Sequence, residues 1–280
     1  MRKFYSLIIA FIFALLYLYS LTELVPFKKT EQQSAGLFYI LPGPIAKITT
    51  LDYDGLAADY LMLKIQSYYG GALERTERPR VTEPEWLWMY DVLTVATELD
   101  PYFFDPYYFA NSFFTWDAHM VKETNTLLAK GNRFRDWDWL PSFYMGFNEF
   151  YFLHDNAKAS EYLMQSSKKP GADPFLPSLA VRLAYKASRT EIAIMFLQQT
   201  IEGTKDKVER EAFEKRLKAL QRILFLEKAV AVYKTKLGAV PGSLKDLIDQ
   251  GVVKRIPQDP YSGEFFIDKD GAVKTTSDLR

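Results

Sequence analysis

Residues 4–24 constrain this 280-residue chain more than any other stretch. Phe4 to Leu24 is an apolar run broken only by Ser6, Ser20, Thr22 and Glu23, and Arg2 and Lys3 precede it. A helix of ~20 apolar residues rises ~30 Å, the thickness of a bilayer's hydrocarbon core. Two positive charges before it and a long body after it predict a cytoplasmic N-terminus. The reading is a transmembrane signal anchor over residues 1–24, single-pass in a bacterial inner membrane, with the body in the periplasm. A cleavable signal peptide is the competing reading, and it requires small residues at its end. Leu18-Tyr19-Ser20-Leu21-Thr22-Glu23 offers bulky ones instead. A buried core helix is disfavoured because the run is apolar on every face.

After such an anchor roughly 250 residues remain, enough for one large domain or two modest ones. The 35 basic and 35 acidic residues cancel. No basic excess argues for nucleic acid, which normally leaves one. There is no cysteine, which excludes a disulfide framework, thiolate metal sites and a cysteine nucleophile. That composition suits an oxidising compartment without requiring one. Nearly half of the aromatic residues, including all five tryptophans, lie between Trp86 and Phe152. This density marks a tightly packed helical core or a sticky surface.

Residues 25–50 read as a linker, with Pro42-Gly43-Pro44 as a turn signal. From Leu51 the pattern is helical. Runs are predicted at 57–69 with Gly70-Gly71 as the stop, at 85–99 closed by Asp100-Pro101, and at 106–116. Further runs follow at 119–130 closed by Gly131, then at 141–153, 158–165, 174–187 and 190–201. Paired helices of ~12–15 residues at a period of roughly 34–36 are the mark of a helical repeat array.

The segment Tyr90 to Pro101 resembles the second helix of a tetratricopeptide repeat, with a small residue, Ala96, about five before the helix-ending Pro101. Ala159-Ser160-Glu161-Tyr162-Leu163-Met164-Gln165-Ser166, followed by Pro170, is similar in a looser way. The resemblance covers 51–204 and departs from the family in lacking its Trp-x-x-Leu-Gly helix start. It implies a stack of helical hairpins that holds protein partners.

Residues 205–280 change texture. Residues 205–237 read as one charged helix with an apolar stripe of Phe213, Leu217, Leu220, Leu224 and Ala231, stopped by Gly238. Ser243 then caps a short helix. Two strands, about 264–267 and 272–275, flank the hairpin turn Asp268-Lys269-Asp270-Gly271. Pro241-Gly242-Ser243-Leu244-Lys245-Asp246-Leu247, then Gly251 through Ile256-Pro257-Gln258-Asp259-Pro260-Tyr261-Ser262-Gly263, resembles the C-terminal part of the major pseudopilin of type II secretion systems. In that family the module sits directly on the membrane helix, whereas a long helical array intervenes here, and the family's processing pattern is missing. The resemblance implies a module used as a cap or docking surface, with secretion or type IV pilus machinery as the setting.

The expected fold is therefore mostly α: a transmembrane helix, a TPR-like array, a long C-terminal helix and a small β-hairpin. Calcium is the one cofactor raised. The pseudopilin resemblance implies it near Asp259, Asp268 and Asp270, although the spacing fits no EF-hand loop and Asp268 to Gly271 is explained as a turn. His119 and His154 would need carboxylate or hydroxyl partners to act as bases or metal ligands. In Arg135-Asp136-Trp137-Asp138-Trp139, Trp137 and Trp139 form either a partner-binding edge or a loop stapling two helices. No phosphate loop, nucleophile elbow or zinc motif is present, and nothing argues for an enzyme. The aromatic belt, Trp88 and Phe147 included, is expected to be chiefly core, with Trp137 outside it. The functional expectation is a membrane-anchored, extracytoplasmic scaffold for protein partners in an envelope complex. The alternative is a ligand-binding or catalytic helical domain whose pocket the aromatic cluster and the two histidines line.

Overall fold

In the computed structural model, which describes residues 11–20, 38–76 and 79–279, the chain is mostly helical and ends in a two-stranded sheet. The membrane anchor is corrected first. Residues 11–20 are helical, and the rest of the expected anchor, 1–10 and 21–24, lies outside the described residues. No helix among the described residues is long and apolar enough to cross a membrane. The transmembrane helix in the expected fold is therefore not supported, nor is the inner-membrane, periplasmic placement that rested on it.

Two compact units divide between Pro106 and Tyr107, inside the stretch read as one repeat domain. In the first unit, helices α1 (Gly43–Thr49), α2 (Asp54–Leu73) and α3 (Glu83–Leu99) pack around Ala46, Ala58, Val95, Ala96 and Leu99. Helix α1 falls within the expected linker. Pro44 starts it, since proline's fixed φ suits a first helical turn. Gly43 lies so close to Glu98 that an added Cβ would come within 1.4 Å of the carboxylate. Helix α2 runs straight through Gly70-Gly71, which have ordinary helical geometry, because a glycine stops a helix only when it turns left-handed. Thr82 and Glu85 form the capping box that starts α3.

The boundary falls within α4 (Asp105–Phe109), which continues into a π-helix, Ala110–Phe114. The second unit then runs through α5 (Val121–Phe134), α6 (Leu140–Tyr151), α7 (Asn156–Ser167), α8 (Leu176–Lys186), α9 (Thr190–Gly203), α10 (Lys207–Leu237) and α11 (Leu244–Asp249). Each of the helices from α5 to α11 packs on the next. Strands β1 (Phe265–Ile267) and β2 (Val273–Thr275) pair antiparallel, Phe266 opposite Lys274.

Two glycines serve close approach. Gly131, expected to end a helix, sits inside α5 with the Tyr107 ring 3.2 Å from where its Cβ would be. At Gly146 of α6 an added Cβ would lie 2.7 Å from Leu163 Cγ on α7, under any tolerable contact. One core runs without a break from α7 to β2, joining Leu163, Leu183, Leu197, Leu220, Ile223, Leu247 and Val273 across residue 204. Burying each such aliphatic side chain is worth about 1.5–3 kcal/mol. Gly238, left-handed at φ 70°, ends α10 as expected, and Asp268 accepts the backbone N–H groups of Asp270 (3.0 Å) and Ala272 (2.9 Å) to close the hairpin turn.

Candidate functional site

The second unit's most unusual construction is where the π-helix meets α5 and α6. A π-turn adds a residue to a helix without changing its neighbours and often marks functional positions. Here it places Asn111 beside Asn148 of α6. Asn148 Nδ2 donates to Asn111 Oδ1 (3.1 Å) and to Asn125 Oδ1 of α5 (2.9 Å), while Asn125 Nδ2 donates to Glu149 Oε1 (3.3 Å). Asn148 is 1% exposed and Glu149 6%. Among the described residues, Asn148 Oδ1 and Glu149 Oε2 are buried with no hydrogen-bond partner. Burial raises the Glu149 carboxyl above the usual range, with Lys158 and the Asn125 hydrogen bond pulling it down and Asp155 pushing it up. A carboxylate shut away with half its acceptors unmet favours its protonated form.

Beside this polar seam stands a cluster of rings. Trp116, two residues past the π-helix, lies 5.4 Å from Tyr151, 4.8 Å from Phe152 and 6.5 Å from Phe147 between ring centroids. Phe147 and Tyr151, four apart and so on one helix face, stack at 5.5 Å with 9° between their planes. Trp116 is 47% exposed and Tyr151 49%. A buried polar seam thus backs an aromatic surface. Rings of this kind carry large contact area at low entropic cost and anchor protein interfaces.

The residues singled out in sequence lie elsewhere or play other parts. Trp137 is 50% exposed with the Arg135 guanidinium 5.5 Å above its ring. Its loop is staked on both sides. Arg135 donates to Asp138 Oδ2 through Nε (3.0 Å) and the terminal nitrogen (2.8 Å), and Lys169 Nζ donates to Asn132 Oδ1 (2.5 Å) and the Asp138 carbonyl (2.9 Å). Trp139 is half-buried against the core and 5.4 Å from Phe143, so it staples helices while Trp137 faces outward. Phe147, expected in the core, is half-buried in the ring cluster. Trp88 is buried as expected; its indole N–H donates to the Phe38 carbonyl (3.0 Å), and its ring meets Tyr68 edge-on at 5.0 Å.

The two histidines join no site. Both are exposed and left-handed, His119 at φ 56° and His154 at φ 55°. The chain closes over them with Met120 N–H to Phe114 O (2.9 Å) and Asp155 N–H to Glu149 O (2.8 Å). They end helices at the position glycine or asparagine usually takes. Among the described residues, the clefts of this unit include neither histidine in their lining.

The calcium trio is not assembled either. Asp259 is buried and occupied: Oδ2 accepts the hydroxyls of Thr275 and Ser277 (2.6 Å to the latter), and Oδ1 accepts the Tyr261 N–H (2.8 Å). Burial alone would raise its carboxyl, but these bonds and Arg222 hold it below the usual range. Asp268 is spent on the hairpin turn, which contains Asp270. Among the described residues, no group of three or more histidine or carboxylate side chains is placed to hold a metal ion.

Sequence reasoning overlooked Asn111, Asn148, Glu149 and Trp116. One signal was legible: Met145, Asn148, Glu149 and Phe152 follow the i, i+3, i+4, i+7 spacing of a buried stripe, which puts two polar residues where apolar ones belong. No protein-family model, curated protein or solved structure matches this chain, so its reading rests on the geometry of this surface.

Proposed function

We propose that the chain is a TPR-like helical scaffold that binds protein partners, with the ring cluster of Trp116, Phe147, Tyr151 and Phe152 as the contact. One observation carries this: two of the four clustered rings stand half-exposed on a framework of consecutively packed helices. Stacked helical elements bury a continuous core and leave side-chain-rich faces for holding other proteins. Trp137, in a braced loop, extends the set of outward anchors. The C-terminal module, which shares its core with the helices before it, serves as their cap.

Affinity capture from crosslinked cells tests the reading. A stoichiometric protein partner should co-purify with the native chain, be lost with Trp116→Ala or Tyr151→Ala, and persist with His119→Ala. Interface anchors of this type lose at least ~2 kcal/mol on truncation, roughly thirtyfold in affinity. Far-ultraviolet circular dichroism should show both ring variants folded. A chain that captures no partner, and whose activity in cells is lost with His119→Ala or His154→Ala, is instead the ligand-binding or catalytic domain of the alternative reading.

A further inference from the structure

A second feature of the same unit lies apart from those rings in chemistry. Between α8, α10 and the terminal hairpin opens a cleft of about 500 Å³, within the range of small-molecule sites. Arg182 and Lys186 from α8, Arg216 from α10 and Lys274 from β2 line it, with Asp278 as the one carboxylate. Some basic side chains elsewhere in this unit do have acidic mates, as Arg135 with Asp138, Arg189 with Glu161 and Lys228 with Glu191. The four cleft cations have none within ion-pair distance among the described residues. Like charges four apart on a helix, as Arg182 and Lys186 are, repel unless something answers them.

Arg216 adds an independent sign. Its terminal nitrogen donates to Ser178 Oγ (2.7 Å), while its Nε is buried with no partner. A buried guanidinium N–H left unmet is costly. Of the acids in this part of the fold, Asp259 accepts the hydroxyls of Thr275 and Ser277, and Glu227 accepts the Thr190 hydroxyl (2.8 Å) and feels Lys274 through space. Burial, then Glu227, Asp259 and Asp268, push the Tyr185 hydroxyl up to about 12, so it remains a neutral donor beside the cations. Lys274 Nζ stands 5.3 Å from the centre of that ring. The other wall is apolar, formed by Val181, Leu220, Phe266 and Leu279.

We infer that this cleft binds a small organic phosphate, its head among Arg182, Lys186, Arg216 and Lys274 and its apolar body against Leu220 and Phe266. A doubly charged head answers a lining of four cations and one carboxylate better than a singly charged carboxylate does, and concave walls concentrate the field. Phosphate oxygens also accept from guanidinium and ammonium groups in charge-assisted bonds.

The test is calorimetric titration of the full-length chain with hexyl phosphate, inorganic phosphate and 1-hexanol at low salt. Hexyl phosphate should bind saturably, inorganic phosphate more weakly, and hexanol not at all. The double variant Arg182→Gln, Lys186→Gln, both positions exposed, should weaken hexyl phosphate at least ~tenfold. A control, Lys207→Gln with Lys228→Gln, removes the same charge outside the cleft and should change affinity less than ~twofold. Absence of saturable hexyl phosphate binding would overturn the proposal, as would an equal loss in the control. Hexanol binding as tightly as hexyl phosphate would remove the anion site, and equal affinity for inorganic phosphate would remove the apolar wall. None of these outcomes depends on the aromatic contact surface, so the two proposals fail separately.

Discussion

Among the described residues each unit buries one glutamate, and the two are treated in opposite ways. In the first, Glu85 is 5% exposed and fully answered: Thr82 gives its backbone N–H (2.6 Å) and hydroxyl (2.9 Å), Arg75 donates at 2.6 Å, and the Tyr68 hydroxyl donates as well. Burial alone would raise its carboxyl, yet these donors hold it down to about 2. In the second, Glu149 meets one amide and leaves an oxygen stranded, and burial raises it. Burial is common to both, so the number of donors decides which protonation state a buried acid takes. The first glutamate is a fastener for a helix start. The second is a tolerated cost beside an exposed surface, the pattern expected where a site rather than stability sets the residue.

The largest test of this contrast concerns the packing behind the Glu85 network. Trp88→Ala removes the ring that Tyr68 leans on, and should cost about 3–5 kcal/mol, read as loss of amide-exchange protection in α3. If α3 keeps its protection, the network holds without its aromatic support and the fastener account fails.

Glu85→Gln keeps the shape and removes the charge, and should cost about 1.5–3 kcal/mol, since bonds to a charged acceptor are the stronger kind. The native chain should mimic this variant in acid. A carboxyl lowered from 4.5 to about 2 on folding contributes stability that is complete above pH 4.5 and drains away as pH falls towards 2. Glu149 reverses the sign. Its raised carboxyl makes the second unit lose stability as pH climbs from 4.5 through the raised value. Exchange protection followed from pH 3 upward, corrected for intrinsic rates, should therefore rise with pH in α3 and decline in α6. Parallel trends in both helices would erase the distinction.

The smallest effect expected is that of Glu149→Gln. It exchanges the poorly answered carboxyl for an amide of the same shape and keeps a polar atom for Asn125, so thermal denaturation should show a change of under ~1 kcal/mol, or a gain. A loss comparable with that of Glu85→Gln would mean that Glu149 has a partner of equal weight.

Much of the architecture was legible because helix starts and stops are local events. Ser243, Gly238 and the Asp268–Gly271 turn announce themselves through capping oxygens or left-handed freedom. Gly70-Gly71 and Gly131 misled because a glycine's effect depends on what it meets, and the Tyr107 ring against Gly131 is nonlocal. The π-helix was invisible for the same reason: its extra residue is stabilised by Asn148, 37 positions away from Asn111. Residues 4–24 read as a membrane span on hydropathy alone, and the described helix there is too short to carry that reading. Trp137 stood out because charges flank it. Trp116 did not, since its ring partners come from a different helix.

The close fit at Gly146 works as a mechanical stop. Helix α6 rests on the Leu163 side chain with no atom to spare, so the depth of its seating is set by a methyl group that is not there. Phe147 follows in the next position and Tyr151 one turn later, and both ride at whatever height that seat allows. Adding one carbon at Gly146 would lift the helix like a shim under a bearing, carrying the rings with it. The outward surface of this unit is thus gauged from within, by a residue that touches nothing a partner would see.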